Sequence, residues 1–123
     1  MSRVLIVDDQ PAFRRVLGQL LAQAGLVVVG EAGDIPEAEA LVQVNPPDLA
    51  VVDVMLPGLN GLEGTARLKA LSPGLRVILV SAHLNHAGIF QAAAREAGAE
   101  VFVPKDELDL EVVKMWFSKG GEL

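Results

Sequence analysis

Five polar side chains stand where the apolar pattern of the chain breaks. Asp8 and Asp9 follow Val4-Leu5-Ile6-Val7, Asp53 follows Leu49-Ala50-Val51-Val52, Ser81 follows Val77-Ile78-Leu79-Val80, and Lys105 lies one residue beyond Val101-Phe102-Val103. Three carboxylates brought close together repel one another and raise at least one proton affinity unless a cation lies among them. Oxygen ligands without His or Cys suit Mg²⁺ (or Mn²⁺), hard ions that keep several waters and also accept phosphate oxygens. Taken singly, each residue is ordinary: an Asp or Ser after a strand caps a helix or turns the chain, and a lone Lys is solvated. The coincidence of carboxylate, hydroxyl and ammonium at four strand ends is what points to a site.

The same apolar runs, with Leu26-Val27-Val28-Val29 as a further one, are short and rich in β-branched residues, which predicts five strands buried on both faces. Helix-like stretches alternate with them. Phe13, Val16, Leu17, Leu20, Leu21 and Ala24 fall on one helix face, and Gly25 follows as a stop. A second helix is expected from the Asp34 cap, through Pro36, Ala38, Leu41 and Val42, to Asn45-Pro46-Pro47. Further helices are predicted over 61–71, 87–97 and 106–117, the last with Val112, Val113 and Trp116 inward. Strand and helix alternating five times implies a doubly wound α/β fold, a parallel sheet with right-handed crossovers and helices on both faces. Ligands of such sheets bind outside the carboxyl ends of the strands, where the five polar residues lie.

Composition narrows the function. The 123 residues suit one domain, expected over 1–119, with 120–123 as a tail or the start of a linker at Gly120-Gly121. A net charge of −6 argues against a polyanion-binding surface, so no nucleic acid is expected on this domain alone. No apolar run approaches the ~18 residues of a membrane span, and no signal peptide is expected. With no cysteine to form disulfides, a cytoplasmic location is predicted.

Along essentially its whole length the sequence resembles the receiver domain of two-component response regulators, with its flavodoxin-like (βα)5 fold. The matching segments are Val4 to Gln10, Pro47 to Gly61, Val80-Ser81-Ala82, Ala97-Gly98-Ala99 and Lys105-Asp106. The resemblance implies that Asp53 is the phosphoacceptor, that Asp9 binds the metal directly and Asp8 mainly through water, and that the Met55 backbone carbonyl is a further ligand. It also implies that Ser81 and Lys105 contact the phosphoryl oxygens. These residue types fit such roles: a carboxylate is a competent nucleophile, and an ammonium neutralises charge on the transferring group. Pro57 and Gly61 would shape the loop that turns a carbonyl to the metal. The implied partners are a histidine kinase or phosphotransfer protein as donor, and an output domain or downstream protein on the face of the fourth helix, fifth strand and fifth helix. A phosphorylation-dependent homodimer is a further implied assembly.

Some positions depart from the family pattern or read two ways. Receivers commonly carry a cis proline after the lysine, whereas here Pro104 precedes Lys105 and Asp106 follows, which leaves that peptide's geometry open. The stretch from Ser81 to Lys105 is slightly long, with the excess around Leu84 to Gly88. Phe102 reads equally as an aromatic switch residue coupled to Ser81 and as a plain core residue. His83 reads as a modulator overhanging the site or, like His86, as surface loop. A Mg²⁺-dependent phosphatase of the haloacid-dehalogenase type would place a second acid where Met55 stands. No turnover of an external substrate is therefore expected, and a degenerate receiver that acts without phosphorylation ranks below the phosphorylatable form.

Overall fold

Alternate residues of a strand point to opposite faces, so a strand covered on both sides is apolar at every position. In the computed structural model, which describes residues 2–82 and 87–118, three strands meet that condition between their end residues. These are β1 (Arg3–Val7), β3 (Leu49–Asp53) and β4 (Arg76–Ser81), in the middle of one parallel sheet of order β2-β1-β3-β4-β5. The edges are β2 (Val27–Ala32) and β5 (Val101–Pro104). Residues 4–7, 49–52 and 77–80 are at most 1 % exposed.

The period of two sorts these side chains into two cores. Val4, Ile6, Leu49, Val51, Ile78 and Val80 share one core with Leu17 and Leu21 of α1 (Pro11–Gln23) and Val113 and Trp116 of α5 (Leu110–Ser118). Leu5, Val7, Ala50, Val52, Val77 and Leu79 share the other. Its helices are α2 (Ile35–Val44), α3 (Gly61–Leu71) and α4 (Ala87–Ala97), contributing Ile35, Ala38, Val42, Leu68 and Ala94. Side-chain caps start α2 and α3: Asp34 accepts from the Glu37 N–H and Asn60 from the Glu63 N–H, each at 2.9 Å. No described helix is long and apolar enough to cross a membrane.

Two expectations need correction. The second strand was expected to be buried on both faces over 26–29, but β2 begins at Val27, runs to Ala32, and has only Ala32 buried. Its apolar run belongs to an edge strand with a neighbour on one side, and Val27 is 40 % exposed. The last helix was expected from residue 106. Instead Lys105–Glu107 form a single 3-10 turn, and α5 starts at Leu110 after Asp109 accepts from the Val112 N–H at 2.9 Å. That Asp side chain supplies a better start than the charged residues before it. The other strands extend their apolar runs, so that Asp53 and Ser81 are the last strand residues of β3 and β4.

β1 lies between β2 and β3, so the winding reverses there and the carboxyl ends of β1 and β3 flank the switch point. The helices behind it pack closely. A Cβ at Gly64 of α3 would overlap the Ile35 side chain of α2. Gly64→Ala should therefore destabilise by about 1 kcal/mol net in urea unfolding, overpacking outweighing the gain in helix propensity. Combined with Ile35→Val, which trims the overlapping methyl, the loss should be smaller than the sum of the two single changes.

Candidate functional site

The loops leaving β1 and β3 at the switch point bring three acids together. Asp8, Asp9 and Asp53 offer carboxylate oxygens that all lie within 4.8 Å of one another. Asp8 is fully buried and Asp53 is 4 % exposed, whereas Asp9 faces solvent. Local hydrogen bonds hold each turn. Asp8 Oδ1 accepts from the Gln10 N–H at 2.8 Å, the Asp8 N–H donates to the Ala32 carbonyl at 2.9 Å, and the Arg14 guanidinium donates to the Asp8 carbonyl at 2.5 Å. Asp53 Oδ1 accepts from the Met55 N–H at 3.1 Å. The Gly61 N–H reaches back to the Val54 carbonyl at 2.9 Å, and a Cβ at this position would collide with the Asp53 carbonyl oxygen. Glycine is required here by close approach, next to the residue the loop must present.

Lys105 leaves the end of β5 toward the same acids. Its Nζ lies 2.7 Å from Asp8 Oδ2, 3.4 Å from Asp53 Oδ2 and 3.3 Å from Gln10 Oε1. The Asp8 contact is a charge pairing without hydrogen-bond alignment, and among the described residues Asp8 Oδ2 has no hydrogen-bond donor although it is buried. A buried charged oxygen in that condition, within an all-oxygen set, fits a hard divalent cation. Burial pushes the Asp53 carboxyl up from 3.8 to about 6; the Met55 N–H and the Lys105 ammonium oppose that rise, and Asp8 adds to it.

Ser81 is buried at the end of β4, where register pairs Asp53 with Val80 and Ser81 with Pro104, so it stands on the same sheet edge as the acids. Met55 extends a half-exposed side chain, 53 % accessible, from the loop after β3. Phe102 is 1 % exposed and belongs to the core under α2, α3 and α4. No peptide bond among the described residues is cis, so Lys105–Asp106 is trans. His83 and His86 lie outside the described residues.

Four side chains that matter here were not assigned to the site from the sequence. Gln10 and Phe13 touch Lys105 across 95 and 92 residues of chain, the ring centroid of Phe13 lying 4.2 Å from Nζ. Arg14 links the Asp8 turn to Glu31 of β2 at 2.9 Å. Gln91 of α4 donates to the Phe102 carbonyl at 2.7 Å and accepts from the Phe102 N–H at 3.2 Å. Only Gln10 and Arg14 had a clue available, their closeness in sequence to the aspartate pair.

The family model for the response regulator receiver domain matches residues 4–116. The chain belongs to that family. As a receiver, it is 39 % identical over 115 residues to a protein of Mycobacterium tuberculosis named DNA-binding transcriptional activator DevR/DosR, a match covering 93 % of this chain and 52 % of that protein. It is 33 % identical over 104 residues to the chemotaxis protein CheY of Thermotoga maritima, covering 85 % of each. A two-component response regulator of the LuxR family from Aurantimonas shares its structure with a TM-score of 0.88 at 32 % identity, over 97 % of this chain and 84 % of that one. The receiver spans about half the length of the transcriptional regulators it matches, 51 % and 52 % in two of them. It is the receiver domain of a two-component response regulator, and its five-stranded flavodoxin-like fold agrees with these neighbours.

The raised Asp53 pKa has a consequence for the metal-free receiver. A folded carboxyl that holds its proton more tightly than the unfolded one penalises the fold once ionised. The penalty is full above pH about 6 and vanishes as pH falls through 3.8. Asp53→Asn should therefore stabilise the receiver in EDTA at pH 7.5, by at most about 3 kcal/mol for a shift of this size. The gain should shrink steadily towards pH 4, which urea unfolding at both pH values measures.

Proposed function

We propose that the receiver accepts a phosphoryl group on Asp53 from a histidine kinase or phosphotransfer protein in the cytoplasm and thereby switches a surface that another domain reads. The observation that carries this reading is the meeting of a nearly buried nucleophilic carboxylate with two further acids and one ammonium at the sheet's switch point. In the transfer, an Asp53 carboxylate oxygen forms the new bond to phosphorus while the donor's bond to phosphorus breaks and the donor leaves with its electron pair. Asp8, Asp9, Asp53 and the Met55 carbonyl are the groups that would hold Mg²⁺ or Mn²⁺, which supplies charge neutralisation at the phosphoryl oxygens. Lys105 would pair with those oxygens, and Ser81 would offer them a hydroxyl donor. Burial suits the reaction, since a poorly hydrated carboxylate is a more available nucleophile and a dry pocket strengthens each pairing.

The same reading makes Ser81 the link to the surface. Once drawn to a phosphoryl oxygen, it alters the packing beside β4, and Phe102 on the neighbouring strand biases α4, β5 and α5 toward one of two arrangements. An output domain, a downstream protein or a second receiver reads that face; in the DevR/DosR relative the name points to a DNA-binding output. The chemistry is one of being modified rather than of turning over an external substrate, and the half-exposed, neutral Met55 side chain offers no second acid to a phosphatase mechanism.

Intact-protein mass spectrometry after treatment with acetyl phosphate and Mg²⁺ should show one added phosphoryl group, absent in Asp53→Asn, which keeps the size of the side chain and loses its nucleophile. An unmodified wild-type chain, or an adduct that persists in Asp53→Asn, would overturn the assignment. Isothermal titration should give Mg²⁺ binding of about millimolar affinity or somewhat tighter, as expected for a site of few protein ligands and retained waters. Asp9→Ala should abolish it.

A further inference from the structure

The Lys105 ammonium has three hydrogens and three oxygen neighbours, on Asp8, Asp53 and Gln10, and an aromatic ring closes another flank. Phe13, in the first turn of α1, sets its ring centroid 4.2 Å from Nζ. The contact is sheltered, the Lys105 side chain being 12 % exposed, and it lies on the wall of a mostly apolar groove of about 450 Å³ that Phe13 and Lys105 line with Val16, Leu20 and Leu108. A ring face attracts a cation through its quadrupole, and the attraction grows when water is excluded. An aliphatic side chain of similar bulk supplies contact but no quadrupole.

The oxygen partners of Lys105 change charge during phosphoryl transfer, and the ring does not. Asp8 and Asp53 lose their hold on the ammonium as their charge is shared with a divalent cation or, for Asp53, taken up in the acyl phosphate bond. The ammonium already lies closer to Asp8 than to Asp53, 2.7 Å against 3.4 Å. A neutral, fixed attraction from the side of α1 holds it between the two carboxylates whatever their state. We infer that Phe13 is a positioning residue, whose ring face keeps Lys105 at the mouth of the pocket where it pairs with the transferring phosphoryl group. This rests on the phosphoacceptor role of Asp53 proposed above.

Fluorinated phenylalanines at position 13 test it in the full chain, because successive ring fluorines drain the quadrupole while leaving shape and apolar contact nearly unchanged. The initial rate of aspartyl phosphate formation from acetyl phosphate and Mg²⁺ should fall stepwise with fluorine number. It should be about tenfold lower in Phe13→Leu and close to wild type in Phe13→Tyr, which retains the ring face. Independently of phosphorylation, the Lys105 ε-methylene protons should show an upfield ring-current shift by NMR, with and without Mg²⁺, that disappears in Phe13→Leu. A flat rate across the fluorine series in a chain that phosphorylates, or a Lys105 methylene without the ring-current shift, overturns the inference. A wild-type chain that forms no aspartyl phosphate yet shows the shift overturns the phosphoacceptor reading, and with it the role in transfer, while leaving the contact itself in place.

Discussion

Like charges do not share a buried site without a counter-charge, and in this receiver two buried carboxylates, with a third exposed at the rim, share one with a single ammonium among the described residues. The balance is incomplete. Asp8 Oδ2 is buried without a hydrogen-bond donor among the described residues, and Asp53 is held well above the ordinary carboxylate range by burial. The pocket therefore holds an excess of negative charge that a divalent cation can meet. Much of the surrounding structure can be understood as what is needed to hold acids this close: donors from the Gln10 and Met55 N–H groups, and a guanidinium on the Asp8 carbonyl.

A parallel sheet makes such crowding possible because its polar side chains are needed only at strand ends. The interior of β1, β3 and β4 is apolar on both faces, which leaves the ends rigidly placed by two separate cores. The reversal of winding between β1 and β3 opens the space into which the acids project. Gly61 completes the arrangement, since its lack of a side chain lets α3 begin directly against the Asp53 carbonyl.

The elements away from the pocket are tied to the sheet at identifiable points. Gln91 bonds both backbone groups of Phe102, so α4 is pinned to the outer edge of β5 by one carboxamide that satisfies the strand where no further strand lies. At the opposite end of the sheet, Arg76 pairs with Glu100 at 2.5 Å, donates to the Trp116 carbonyl at 2.5 Å and lies 5.6 Å from the Phe117 ring centroid. Its side-chain hydrogen bond to Glu100 holds the guanidinium still more firmly in its charged form. These ties connect α4 and the carboxyl end of α5 to β4 and β5, the two strands that carry Ser81 and Lys105 toward the site.

The sequence by itself determined the order of elements, the buried character of the central strands and the identities of the five polar groups at their ends. Those features follow from periodicity and from residue type, which are local properties; the helices over 35–44, 61–71 and 87–97 were legible for the same reason, through their caps and breaks. The exposure of β2 was not legible, because an apolar run looks alike at the edge and in the middle of a sheet, and only strand order distinguishes them. The start of α5 depended on which of several acidic residues captured an N–H, and Asp109 did so. The contacts of Lys105 with Phe13 and Gln10, and of Gln91 with Phe102, join elements distant in the chain through side chains whose types suit many places. Tertiary structure decided them, because a cation–π contact or a carboxamide clamp depends on where two elements come to rest and leaves no period in the sequence.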